Sequence, residues 1–221
     1  MEKQLEKLHN FLENRHQNYI SMVAIGSIAV GDKWIENRSD NDILLIFEEI
    51  PNSLTNELES YLKTSSFDET FFFTPITKEI FQNSNNSSHD FSNKFRSKTL
   101  FGIDLIENVK LPTKEQSQVM SEKGISAIVR RIKSRIANSP IWEEERVKKE
   151  FWKLFKHTFM YLAIKHYVKT QNYPKTRLEV VETNNSDILS EVLNTLNEIN
   201  EKSKEEIIIV GKRLLESLEK L

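Results

Sequence analysis

Two short apolar runs, Ile20 to Ile25 and Ile43 to Phe47, flank a polar connection that opens on Gly26-Ser27 and closes on Asp40-Asn41-Asp42. Each run is too short for a helix and is bounded by turn residues, so the pattern predicts two buried, neighbouring strands. Ser21 is the one polar interruption in the first run. Residues two apart on an extended chain point the same way. Asp40 and Asp42 therefore aim both carboxylates at one point at the mouth of a sheet. Paired hard oxygen ligands suit Mg²⁺, which takes one or two carboxylates and completes its shell with water and phosphate oxygens.

The rest of the chain supplies cover for such a sheet. Leu5, Leu8, Phe11 and Leu12 predict an amphipathic helix over residues 2–18. Ser53 is the expected N-cap of a helix through Thr64 that carries Leu54, Leu58 and Leu62 on one face. An aromatic strand over 67–75 is expected to end at Pro75, and a short helix to follow over 77–81. The Ser/Asn-rich stretch 83–92 reads as a surface loop. Beyond Leu111-Pro112 no strand pattern recurs. Helical periodicity runs over 113–138, 140–171 and 186–221, the last broken near 198–200, which predicts a bundle. The expected architecture is α+β: a small mixed sheet with helices over 1–111, then a helical bundle over 112–221.

Composition excludes several classes. With no cysteine, neither a disulfide framework nor a thiolate metal site is possible. The five histidines are scattered, without metal-ligand spacing. A net charge of −2 argues against a broad nucleic-acid footprint. The charged first residues lack an apolar signal core, and no apolar run is long enough to span a bilayer. The expectation is a cytosolic protein, with its oligomeric state open.

The string GSIAVGDKWIENRSDNDILLIF, residues 26–47, resembles the signature of the nucleotidyltransferase (polymerase-β-like) superfamily. Within it the likeness is greatest to aminoglycoside adenylyltransferases of the streptomycin/spectinomycin type. The resemblance implies that Gly26 and Ser27 touch a nucleoside triphosphate and that Asp40 and Asp42 hold Mg²⁺, two ions in this superfamily, with ATP as substrate. Asn41 stands where the family is apolar, and is expected to loosen the packing of the strand start. A third carboxylate on the aromatic strand supports a metal or acts as general base in the resembling enzymes. Glu69 is the candidate here, with Asp68 as runner-up. The segment Phe101-Gly102-Ile103-Asp104 followed by Leu111-Pro112 is similar to the one that closes the family's catalytic domain. Asp104 reads as a capping or loop-end residue, with a metal-ligand role as the alternative.

Two features of the helical half extend the likeness. Tyr161, followed by Tyr173-Pro174-Lys175-Thr176-Arg177, resembles a family turn whose Lys reaches the nucleotide phosphates. Lys175 is the nucleotide-binding candidate, with Arg177 behind it and a solvated basic turn as the alternative. Glu143-Glu144-Glu145 beside Trp142 would suit a polycationic aminosugar, yet acidic residues early in a helix also complement its dipole.

The activity implied is Mg²⁺-dependent transfer of AMP from ATP to a hydroxyl of a small acceptor, an aminoglycoside-type antibiotic, which would confer antibiotic resistance. One alternative is adenylylation of a protein or tRNA, as antitoxin-type nucleotidyltransferases do; the other is a catalytically silent nucleotide-binding module. The helical half carries no Arg-x₄₋₆-His spacing that would mark a built-in ribonuclease.

Overall fold

The computed structural model describes residues 2–33, 35, 38–65, 67, 69–83 and 87–220. The chain divides into two compact units, Met1–Pro112 and Thr113–Leu221. The first opens with helix α1 (Glu2–Arg15), strand β1 (Tyr19–Ile25), the one-turn helix α2 (Ser27–Val30) and β2 (Asn41–Phe47). Then come α3 (Leu54–Thr64), β3 (Phe71–Thr77), α4 (Lys78–Gln82), α5 (Ser88–Phe95) and β4 (Ser97–Gly102).

The four strands form one mixed sheet in the order β3-β2-β1-β4. β1 runs antiparallel to both β2 and β4, while β2 and β3 are parallel. The two central strands read as continuous apolar runs because both of their faces are covered. Met22, Ala24, Ile43, Leu45 and Phe47 pack beneath Leu5, Leu8 and Leu12 of α1 and Leu54 and Leu58 of α3. Val23, Leu44 and Ile46 point the other way and bury Phe81 of α4 together with Leu105 and Val109. Side-chain alternation along a strand thus builds two separate apolar layers from one sequence run.

Several boundaries differ from those expected. α1 ends at Arg15, three residues early. Ser53 occupies the N-cap position of α3, but its hydroxyl caps no backbone N–H. It bonds the carboxylate of Glu57 instead, and with His16 and Arg15 nearby this holds Glu57 below the usual carboxylate range. Pro75 does not end β3; it lies inside the strand, opposite Leu45. β3 is an edge strand, so the N–H that proline lacks can face away from the ladder. The Ser/Asn-rich stretch is not a plain loop. Ser87 and Asp90 form a reciprocal capping box that starts α5, and Phe91 then plugs into the interior.

The second unit comprises α6 (Lys114–Asn138), α7 (Glu144–Thr170), α8 (Arg177–Asn184), α9 (Asp187–Asn197) and α10 (Lys204–Leu218). α8 was not foreseen, because its eight residues are too few for apolar periodicity to show. α7 packs against each of the other four helices, with Phe151, Phe155 and Phe159 fully buried. Glu143 occupies the N-cap position of α7, and Glu144 and Glu145 lie in its first turn, as the helix-dipole explanation requires. No helix among the described residues is long and apolar enough to cross a membrane.

Candidate active site

One end of the sheet gathers Gly26, Ser27, Asp40, Asp42 and Glu69 of the first unit. β1 leaves the sheet there, β2 and β3 enter it side by side, and β4 begins opposite the last residue of β1. Gly26 adopts φ 70° and ψ −138°, a conformation open only to glycine in practice. It lets the chain turn sharply out of β1 into α2. The turn is self-bonded: Ala29 and Val30 donate N–H to the Gly26 carbonyl, and Gly31 and Asp32 donate to that of Ser27.

Asp42 is an exposed residue inside β2, and Asp40, also exposed, immediately precedes the strand, two residues before Asp42. By strand alternation Asp42 shares a face with Leu44 and Ile46, and Asp40 continues that parity. Two carboxylates therefore line one face where the sheet opens to solvent. The connection leading to them is tied down by Ser39, whose buried hydroxyl accepts from the Ile35 N–H at 2.9 Å.

Asn41 does not loosen the strand start. Its backbone N–H donates to the Thr70 carbonyl at 2.7 Å, and its side-chain amide donates to the Thr70 hydroxyl at 2.9 Å. An apolar residue could make only the first of these bonds. Asn41 thereby fixes the entry of β3 beside the aspartates, a role that strand patterning alone could not reveal.

Glu69 lies in the exposed turn immediately before β3, at the same end of the sheet as Asp40 and Asp42. It is not on the strand itself. On the face shared with Asp42, β3 presents Phe72, Thr74 and Ile76, and Phe72 pairs directly with Asp42 in register. That phenyl ring is 52 % exposed. Asp68 and Trp34 lie outside the described residues. Asp104 is a loop-end residue, as expected. Its carboxylate accepts from the Thr99 hydroxyl and from the Ile106 N–H, each at 3.0 Å, which joins β4 to the turn that follows.

Lys175 belongs to the second unit, in the turn before α8. Its side chain is exposed, and its backbone N–H donates to Glu179 at 2.7 Å. Arg177 does not stand behind it as a second solvent-facing cation: it is 3 % exposed as the first residue of α8.

No set of three or more His, Cys, Asp or Glu side chains among the described residues could hold a metal ion. The donor chemistry of Asp40 and Asp42 nonetheless fits Mg²⁺. That ion dehydrates reluctantly and needs only one or two protein carboxylates when a phosphate substrate supplies the remainder.

No protein-family model and no curated protein sequence matches the chain. Among solved structures it is similar to spectinomycin adenyltransferase AAD(9) from Enterococcus faecialis, a structure with ATP and spectinomycin. That match covers 98 % of both chains at 15 % identity and a TM-score of 0.52. A nucleotidyltransferase-like protein from Exiguobacterium sibiricum matches over 98 % of this chain and 75 % of its own, at 11 % identity and a TM-score of 0.32. The chain therefore has the fold of spectinomycin adenyltransferase AAD(9), a nucleotidyltransferase-type sheet unit followed by a helical unit.

Proposed function

We propose that the protein is a Mg²⁺-dependent nucleotidyltransferase that moves AMP from ATP to a hydroxyl of a small acceptor of the aminoglycoside or aminocyclitol class. The observation that carries this reading is the pair Asp40 and Asp42, alternating at the open end of β2 beside the Gly26-Ser27 turn, within a fold shared with an adenyltransferase.

In the proposed reaction the acceptor oxygen attacks the α-phosphorus. The bond from that phosphorus to the oxygen bridging it to the β-phosphate breaks, and pyrophosphate leaves. The hydroxyl proton passes to the Glu69 carboxylate, which the turn before β3 holds at the same sheet end as the aspartates. The Gly26-Ser27 turn offers the triphosphate the N–H and hydroxyl of Ser27, the Gly26 N–H being donated to the Arg96 carbonyl, and Asp40 and Asp42 hold Mg²⁺. When bound, the metal neutralises phosphate charge and steadies the entering and leaving oxygens. The remaining work of these residues is positioning, which can supply several kcal/mol of the barrier reduction, about 7–11 in well-oriented systems. Lys175 is proposed as a further cation for the phosphates on the strength of its Tyr-Pro-Lys turn.

One observation favours a second reading, a nucleotide-binding module without turnover. On the face of Asp42, β3 carries Phe72, Thr74 and Ile76 and no carboxylate, so the base must come from the turn before the strand.

Pyrophosphate release from ATP and Mg²⁺, assayed with a panel of aminoglycosides and spectinomycin and a no-acceptor control, separates the two. Release that depends on one drug is the expected result. Asp42→Asn should abolish it and Glu69→Gln should lower it about 10²- to 10⁴-fold, the usual scale for a general base. Wild-type turnover in Asp42→Asn would refute the metal assignment. Mg²⁺·ATP binding with no release for any drug would leave the silent module, or an acceptor that is a protein or tRNA.

A further inference from the structure

The turn Gly26–Asp32 is fastened at both ends to one residue that lies far away in sequence. The Gly26 N–H donates to the carbonyl of Arg96 at 2.8 Å. At the other end the Arg96 guanidinium donates through Nη2 to Asp32 Oδ2 at 2.6 Å. Arg96 is itself held firmly. Its N–H closes α5 on the Ser92 carbonyl at 2.8 Å, and the neighbouring Asn93 amide donates to the Phe81 carbonyl at 3.0 Å.

The ion pair is largely buried, with side chains 14 % exposed for Arg96 and 5 % for Asp32. Such a pair is a poor device for stability, because desolvating two charges offsets their attraction and apolar replacements of similar volume are often neutral or better. Arg96 carries a further cost, since its Nε is buried and makes no hydrogen bond among the described residues. A buried cation placed this way is accounted for if the turn it fastens must hold one shape against a dense negative charge.

Building on the nucleotidyltransferase reading above, we propose that Arg96 is a positioning residue of the phosphate-binding turn. It acts through Gly26 and Asp32, holding the turn so that the Ser27 donors are aimed at the triphosphate. It does not touch the nucleotide. Pre-organising a binding element in its bound shape improves affinity by removing the cost of ordering it, so the signature is nucleotide affinity rather than chemistry.

Calorimetric titration of the full chain with Mg²⁺·ATP tests this, alongside KM for ATP and kcat where an acceptor is found. Arg96→Gln leaves the backbone bond to Gly26 and removes only the tie to Asp32. It should weaken Mg²⁺·ATP binding about tenfold or more while kcat at saturating ATP changes less than about threefold. Arg96→Lys should recover part of the loss. Asp32→Asn should weaken binding in the same direction, and the double variant should be no weaker than Arg96→Gln alone, because both act through one contact. Leu58→Ala, which opens a cavity under α3, provides a control of comparable melting-temperature loss with affinity within about twofold of wild type. Arg96→Gln with wild-type affinity overturns the proposal, as does an equal affinity loss in Leu58→Ala. If Arg96→Gln does not fold, Asp32→Asn decides by the same criteria. A wild-type protein that binds no Mg²⁺·ATP overturns the nucleotide reading itself, and this proposal with it.

Discussion

Replacing Gly124 by alanine is expected to destabilise the helical unit, although alanine is the better helix former. Gly124 lies mid-α6, buried, where the ring of Tyr161 on α7 presses against the backbone. A Cβ there would stand 2.2 Å from Tyr161 Cδ1, 2.3 Å from Cε1 and 2.5 Å from Cγ. Three ring atoms are met at once, so a small tilt of the ring tip cannot relieve the overlap. Carbon atoms pack at about 3.5–4.0 Å, so either the ring or α6 must move by more than about 1 Å. Overpacking of this kind costs about 1–3 kcal/mol, against a gain of about 1 kcal/mol from replacing a mid-helix glycine. With three ring atoms overlapped the upper half of that cost, about 2–3 kcal/mol, applies, so the net expectation is a loss of about 1–2 kcal/mol, or a melting-temperature drop of about 2–8 °C for a chain of this size. Urea unfolding and thermal melts of Gly124→Ala, Tyr161→Ala and the double variant measure the coupling. With the ring gone, the added methyl should cease to harm and should stabilise by up to about 1 kcal/mol relative to Tyr161→Ala. A Gly124→Ala protein as stable as wild type, or an equal cost in both backgrounds, would refute the close-approach argument.

Asn41→Ala removes the amide bond to Thr70 and should cost about 0.5–1.5 kcal/mol. It should lower kcat more than it raises KM for ATP, because Asp40 and Asp42 stay in place while the entry of β3 loosens; steady-state kinetics beside a melt would show this. His157 on α7 is partly buried, and burial, reinforced by Arg131 on α6 and Lys153 and Lys156 on its own helix, holds its pKa below the usual histidine range. As pH falls from about 7, the unfolded chain therefore takes up a proton that the folded one resists, and stability declines. His157→Gln should lose less melting temperature than wild type between about pH 7 and 5.5, and parallel declines would dismiss this source of pH dependence.

Local chemistry, read from the sequence, determined the parts of this protein that depend on neighbouring residues. The runs ending at Ile25 and Phe47 announced strands because both faces of a central strand need apolar side chains. The alternation of Asp40 and Asp42 follows from strand geometry once β2 is assigned. The capping logic that marks Asp104 and the glutamates before and within the first turn of α7 is likewise local, and the structure bears both out. The helix after Ser87 was hidden for the opposite reason. Its short, polar sequence looks like a loop until Phe91 has a core to enter, and α8 is too short for its periodicity to register.

Tertiary structure alone decided which distant residues stand at the sheet mouth. That Asn41 grips Thr70 depends on β2 and β3 lying parallel and in register, which neither strand encodes by itself. Pro75 could remain within β3 only because that strand forms the sheet edge. The same pairing sets Phe72 rather than a carboxylate beside Asp42 and leaves Glu69 in the turn ahead. Arg96 meets Asp32 across 64 residues of chain because β4 returns antiparallel to β1 and begins where β1 ends. Pairing of this kind reflects the burial of two apolar faces at once, a sum over the whole unit, and so it leaves no mark in any single stretch of sequence.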